Sequence, residues 1–81
     1  MQIRVRLFAS LRDAADTGEC WLELAPGERG MDAKAALAAR YPRLQDLVEY
    51  ARLSVNWEYR PWETPLQDGD EIGFLLPVSG G

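Results

Sequence analysis

The residues of this chain best suited to chemistry are its last two, Gly80 and Gly81, reached through Pro77-Val78-Ser79. Neither glycine has a Cβ, so both can take backbone dihedrals closed to other residues and pass through a channel too narrow for side chains. The α-carboxylate of Gly81 titrates at about 3.5 and is an anion at neutral pH, a poor electrophile until it is given a leaving group. Adenylation by an ATP-using partner supplies one. Attack by a sulfur nucleophile on the acyl-adenylate then leaves a thiocarboxylate, whose ionised sulfur is nucleophilic for the reason that thiolates are. The four residues after Pro77 extend at most about 14 Å, a reach suited to a narrow partner pocket. A frayed end also ends in glycines. Departure straight from a last strand favours function, because the tail then projects from a rigid base.

The other side chains offer little alternative chemistry. The chain has 81 residues, no histidine and one cysteine, Cys20. The commonest general base and metal ligand is therefore missing, and neither an internal disulfide nor a cysteine metal site can form. No metal site is expected. Asp68, Asp70 and Glu71 stand too close together for a calcium loop and read as a turn. Cys20 alternates with Leu22 and Leu24 and is expected to act as a small hydrophobe. A net charge of −4 with scattered arginines argues against a nucleic-acid partner and for a basic protein partner. The opening Met1-Gln2-Ile3-Arg4-Val5 is neither a signal pattern nor part of a membrane span, so a cytoplasmic protein with no membrane association is expected.

Alternation supplies the elements that must hold the tail. Ile3, Val5 and Leu7 share one face of a first strand, with Arg4 and Arg6 on the other. Ala9 to Ala15 fits one or two helical turns, and Asp16-Thr17-Gly18 turns into a second strand over Glu19 to Leu24. The main helix runs from Met31 to Tyr41 and stops at Pro42; Met31, Ala35, Ala38 and Tyr41 form its expected sheet-facing stripe, with Lys34 toward the same side. Gly30 stands where Ser, Thr or Asp would cap better, so a loose first turn is expected. Leu44, Leu47, Val48 and Tyr50 form a less regular apolar segment. Leu53, Val55, Trp57 and Tyr59 align along a third strand, with Asn56 expected to bond backbone. After a turn at Gln67-Asp68-Gly69-Asp70, Ile72, Phe74 and Leu76 align along a last strand.

The order strand, strand, helix, strand, strand predicts an α+β ubiquitin-like β-grasp domain over residues 1–77, with the helix across a mixed sheet and the first and last strands parallel at its centre. Residues 78–81 form the flexible tail.

Leu7-Phe8-Ala9, Arg12-Asp13, Val55-Asn56, Pro65-Leu66, Asp68-Gly69-Asp70-Glu71 and Pro77-Val78-Ser79-Gly80-Gly81 together resemble the small subunit of molybdopterin synthase, in a spacing that covers the whole chain. Leu66 to Gly81 is the specific part. Leu76-Pro77 replaces a frequent Pro-Pro, and Trp57 and Trp62 are large for their neighbourhood. The resemblance implies that Gly81 becomes the thiocarboxylate. It further implies an adenylyltransferase of the ubiquitin-activating type, a sulfur donor such as a cysteine desulfurase system, and a large synthase subunit that accepts the tail. Sulfur then passes to cyclic pyranopterin monophosphate. No cofactor would be held permanently, ATP being used by the activating partner, and the chain would not catalyse alone.

By resemblance, Phe8, Tyr59 and Leu75 belong to an apolar partner-binding patch. Alternation turns Phe8 and Leu75 away from the helix, which an interface explains better than a core. The same alternation would bury Tyr59 unless the strand bends there. Arg12 either meets an acidic partner or is solvated. Alternatives to molybdopterin are a carrier for thiamine, cysteine or tRNA thiolation, a modifier joined to lysines, and an interaction module with an inert tail.

Overall fold

The computed structural model describes residues 1–77. The tail readings at Gly80 and Gly81 lie outside the described residues. Strands β1 (Gln2–Leu7), β2 (Glu19–Glu23), β3 (Arg52–Val55), β4 (Glu58–Tyr59) and β5 (Glu71–Leu75) form one sheet in the order β2-β1-β5-β3-β4. β1 pairs parallel with β5 at the centre, as expected, and the other pairings are antiparallel. Helices α1 (Ala9–Ala15), α2 (Gly30–Arg40) and α3 (Gln45–Val48), with a 3₁₀ turn at Pro42–Leu44, cover one face only. The mixed sheet with a helix across it is the β-grasp layout. No helix among the described residues is long and apolar enough to cross a membrane.

The alternating residues of the strands meet the helices in one core. Ile3, Val5, Leu7, Leu22, Leu53, Ile72 and Phe74 enter it from the sheet, and Leu11, Ala33, Leu37, Leu44 and Val48 from the helical side. Each such fully buried large side chain contributes about 1.5 to 3 kcal/mol relative to exposure. Cys20 is buried among them, where loss of water pushes its thiol pKa up, as fits a hydrophobe.

Two expectations for α2 are corrected. Its buried stripe is Gly30, Ala33 and Leu37, whereas Met31 and Ala35 are exposed and Ala38 and Tyr41 only half-buried. Alanine at 33, 35, 36, 38 and 39 makes nearly every stripe apolar, so Leu37, the one large aliphatic in the middle of the helix, decides the rotation. Its first turn is not loose. The amides of Gly30 and Met31 donate to the carbonyls of Thr64 (3.0 Å) and Trp62 (2.9 Å), and the Asp32 carboxylate accepts the Arg29 amide at 2.7 Å. Three donors at the helix start are thus tied down. A Cβ at Gly30 would collide with Leu53 Cδ2, so glycine stands there for close packing and not as a poor cap.

The expected single strand from Leu53 to Tyr59 is a hairpin. Asn56 (φ 50) and Trp57 (φ 70) both lie in the left-handed region, the signature of a two-residue turn matched to strand twist, and β4 folds back on β3. Asparagine enters that region more readily than most residues. As expected, Asn56 bonds structurally: its amide N–H reaches the Glu71 carbonyl (2.7 Å), its side-chain oxygen accepts the Glu71 N–H (3.1 Å), and its Nδ2 donates to Asp70 Oδ1 (3.1 Å).

The two sheet edges differ. β4 is two residues long. On β2, the Glu19 amide donates to the Thr17 hydroxyl, which itself donates to the Glu19 carbonyl, while Arg40 Nη1 donates to the Trp21 carbonyl at 2.7 Å.

Candidate partner-docking site

The face of the sheet without helices has a charged part and an apolar part. Over β2 and the start of β1 and β5, Arg4 Nη2 bonds Glu19 (2.8 Å) and Arg6 Nε bonds Glu71 (3.0 Å), with cross pairs Arg4–Glu71 at 3.7 Å and Arg6–Glu19 at 3.6 Å. The Arg4 hydrogen bond holds the Glu19 carboxyl below its ordinary range and raises the Arg4 guanidinium in turn.

Toward the other end of β1 and β5 the face sinks into a basin of about 180 Å³, lined by Phe8, Ser54, Trp57, Tyr59, Gly73 and Leu75, with Arg6 and Glu71 at its charged border. Each wall has a local cause. Phe8 keeps an extended backbone (φ −129, ψ 155) and Ala9 then turns sharply at φ 48, so the chain leaves the sheet only after Phe8 has been aimed at the open side. Leu75 ends β5 in the alternation opposite to Ile72 and Phe74. Tyr59 pairs with Ser54 across the hairpin, and paired residues share a face, so the reversal at Asn56 and Trp57 brings Tyr59 to the open side. Phe8, Tyr59 and Trp57 remain 39%, 59% and 70% exposed, a concentration of aromatic surface unusual outside interfaces. Gly73 forms the floor: a Cβ there would stand 2.7 Å from Ser54 Oγ and 3.7 Å from Phe8 Cε2.

Of the residues singled out from sequence, Phe8, Tyr59 and Leu75 are brought together here, and Tyr59 lies exposed where plain alternation would bury it. Arg12 is not among them. It is exposed on α1 and lies along Gly18, whose Cβ would be 3.4 Å from Arg12 Nε. Gly80 and Gly81 lie outside the described residues, but β5 ends at Leu75, on the basin wall, and leads into them. Sequence reasoning missed Gly73, whose value appears only when Ser54 is placed beside it, and Arg52. The guanidinium of Arg52 lies 4.6 Å over the Tyr59 ring. Trp62, by contrast, stacks on core residue Phe74 at 5.6 Å between ring centroids.

The carboxylates of the turn before β5 are engaged by backbone. Asp68 Oδ1 accepts the Gln2 amide and Asp70 Oδ2 the Gln67 amide, at 2.7 and 2.8 Å. Among the described residues no group of three or more His, Cys, Asp or Glu is placed to hold a metal ion.

Known proteins match the chain both in sequence and in structure. Residues 5–81 match the ThiS family. The chain is 37% identical over 83 residues to the molybdopterin synthase sulfur carrier subunit of Chlamydomonas reinhardtii, covering 100% of both. Among solved structures it resembles SAMP1 from Haloferax volcanii, with a TM-score of 0.92, 25% identity and 100% of both chains covered. It also resembles small archaeal modifier protein 1 from Methanosarcina acetivorans, with a TM-score of 0.85, 34% identity and 99% and 96% of the two chains covered.

Proposed function

Because the chain belongs to the ThiS family and has a full-length sulfur-carrier relative, we propose that it is the sulfur-carrying subunit of a molybdopterin synthase, working in the cytoplasm through the carboxyl group of Gly81. An adenylyltransferase of the ubiquitin-activating type joins that carboxylate to AMP, releasing pyrophosphate from ATP. A persulfide from a donor such as a cysteine desulfurase system displaces AMP to give an acyl disulfide, and a thiol then reduces its S–S bond, leaving the thiocarboxylate on Gly81 and a disulfide on the donor side. The large synthase subunit receives the tail, and the sulfur passes to cyclic pyranopterin monophosphate. No cofactor stays on the chain, and the chain alone is not catalytic.

The observation that carries this reading is the junction of basin and tail. Leu75 is both a wall of the basin and the last residue of β5, so a protein seated on Phe8, Tyr59 and Leu75 sits at the root of the tail. The residues after Pro77 span at most about 14 Å, which confines Gly81 to the partner's near side. Burial of the aromatic walls supplies affinity, and the side-chain-free glycines supply access.

Similarity to an archaeal modifier protein at 34% identity favours a second reading, attachment of Gly81 to lysines of other proteins through the same activated carboxyl. One experiment separates the two. The full-length chain and a variant lacking Gly81 are incubated with ATP, the activating enzyme and a sulfur source, and intact masses are read. The full-length chain gains the mass difference of one oxygen replaced by one sulfur, and with the large subunit it supports dithiolene formation. The truncated chain, its carboxylate displaced by up to ~3.6 Å, does neither, since even ~1 Å of misplacement can cost about a hundredfold in rate. Sulfur loading of the truncated chain would sink the tail mechanism. Lysine conjugates without dithiolene formation would favour the modifier.

A further inference from the structure

We propose that Arg52 is the electrostatic half of this docking site, and that the large synthase subunit presents an aspartate or glutamate to it beside the apolar side chain that enters the basin. This rests on the docking reading above and adds the chemistry of the partner's contact.

Four observations single out Arg52. It lies directly across from Leu75 in the β3–β5 pairing, at the root of the tail. It alternates with Ser54, which lines the basin, so it belongs to the same face. Its guanidinium is held over the Tyr59 ring at 4.6 Å instead of being free in water, and the ring is itself a basin wall. Among the described residues it has no carboxylate within ion-pair distance, whereas Arg4 and Arg6 on the same face are neutralised by Glu19 and Glu71. In a chain of net charge −4, the rim of the basin thus carries an uncompensated, prepositioned cation.

A lone exposed ion pair adds little, because water screens both ions. Here an apolar occupant of the basin would exclude water from one side of the pair, where charge complementarity sets both strength and selectivity. The planar guanidinium can stay stacked on Tyr59 while its outer edge takes a carboxylate through two hydrogen bonds, a geometry that lysine cannot reproduce. Arg60 is not a second such group, since it is paired with Glu58.

The test measures the dissociation constant of the full chain for the purified large synthase subunit over a range of salt, with melting temperature read in parallel. Arg52→Gln should weaken binding about tenfold and Arg52→Glu about a hundredfold, with Arg52→Lys between wild type and Arg52→Gln. The salt dependence should flatten in Arg52→Gln, and melting temperatures should hold because the side chain is exposed. An acidic-to-arginine change in the large subunit that restores binding to Arg52→Glu identifies the carboxylate. All Arg52 variants binding within twofold of wild type, while Phe8→Arg abolishes binding, would overturn the inference and leave the docking reading intact. Absence of any binding by the wild-type chain removes both.

Discussion

Two halves of one sheet face, built from the same strands, meet solvent on opposite terms. Over β2 and the start of β1, Arg4, Arg6, Glu19 and Glu71 neutralise one another in charge, with only the buried Arg4 Nε left without a hydrogen bond among the described residues. Over the end of β1, β5 and the β3–β4 hairpin, Phe8, Trp57, Tyr59 and Leu75 surround a floor made of a glycine and leave apolar surface open to solvent, with only Tyr59 partly covered, by Arg52. Alternation dictates only that a residue faces outward. What separates lattice from basin is which side chains fill the outward positions, and the half that fails to satisfy itself is the half nearest the tail.

That contrast breaks most sharply under charge placed in the basin. Phe8→Arg or Leu75→Glu should weaken the large subunit's binding by a hundredfold or more, because burying an unpaired charge in an apolar contact costs roughly several kcal/mol. Neither should lower the melting temperature appreciably, since both side chains point away from the core. Unchanged affinity in both variants would remove the basin from the docking site.

A middle-sized effect belongs to the hairpin that raises Tyr59 to the open side. Asn56→Ala removes the side-chain acceptor for the Glu71 amide and the bond to Asp70. Because these bonds are exposed, the loss should be about 1 kcal/mol, or roughly 4 to 8 °C in melting temperature for a domain of this size. A protein of undiminished stability that nevertheless failed to bind would give Asn56 a direct role at the interface.

The smallest effect lies in the charged lattice. Arg4 lowers the Glu19 pKa in the folded protein, chiefly by hydrogen bonding. A depressed carboxyl contributes stability that is fully present above its unfolded value, about 4.3, and is lost as pH falls through the folded value below it. Urea midpoints of wild type should therefore decline more steeply below about pH 4.5 than those of Glu19→Gln. Parallel acid slopes would mean that the lattice adds nothing to folding.

The strand period exposed much of this in advance. It placed Ile3, Val5, Leu7, Leu22, Ile72 and Phe74 in the core and aimed Phe8 and Leu75 outward, because a period of two leaves little ambiguity when large aliphatics alternate with charges. It failed where composition was uniform or the backbone unusual. An alanine-rich helix has no single apolar stripe, so the buried face of α2 came down to Leu37. The turn at Asn56-Trp57 lacks the glycine that marks such hairpins, and an alternating run reads straight through it. Gly30 and Gly73 owe their identity to Leu53 and Ser54, neighbours that only folding supplies. Arg52 reads in sequence like any other scattered arginine; it stands out once Glu19 and Glu71 are seen to be spent on Arg4 and Arg6.

The guarding of the sheet's margins governs how the molecule can be approached. An open strand edge invites another chain to add itself by backbone pairing, with little regard for that chain's side chains. Here one margin is two residues long, and the other has its outward groups at Glu19 and Trp21 already occupied by Thr17 and Arg40. Lateral growth of the sheet is therefore hindered on both flanks, and a visitor is steered to a broadside approach, in which side-chain shape and charge decide who is admitted. Under the function proposed above, in which the chain is passed between several hosts, that would give each host its own lock on a shared face and keep copies of the chain from zipping together while they wait.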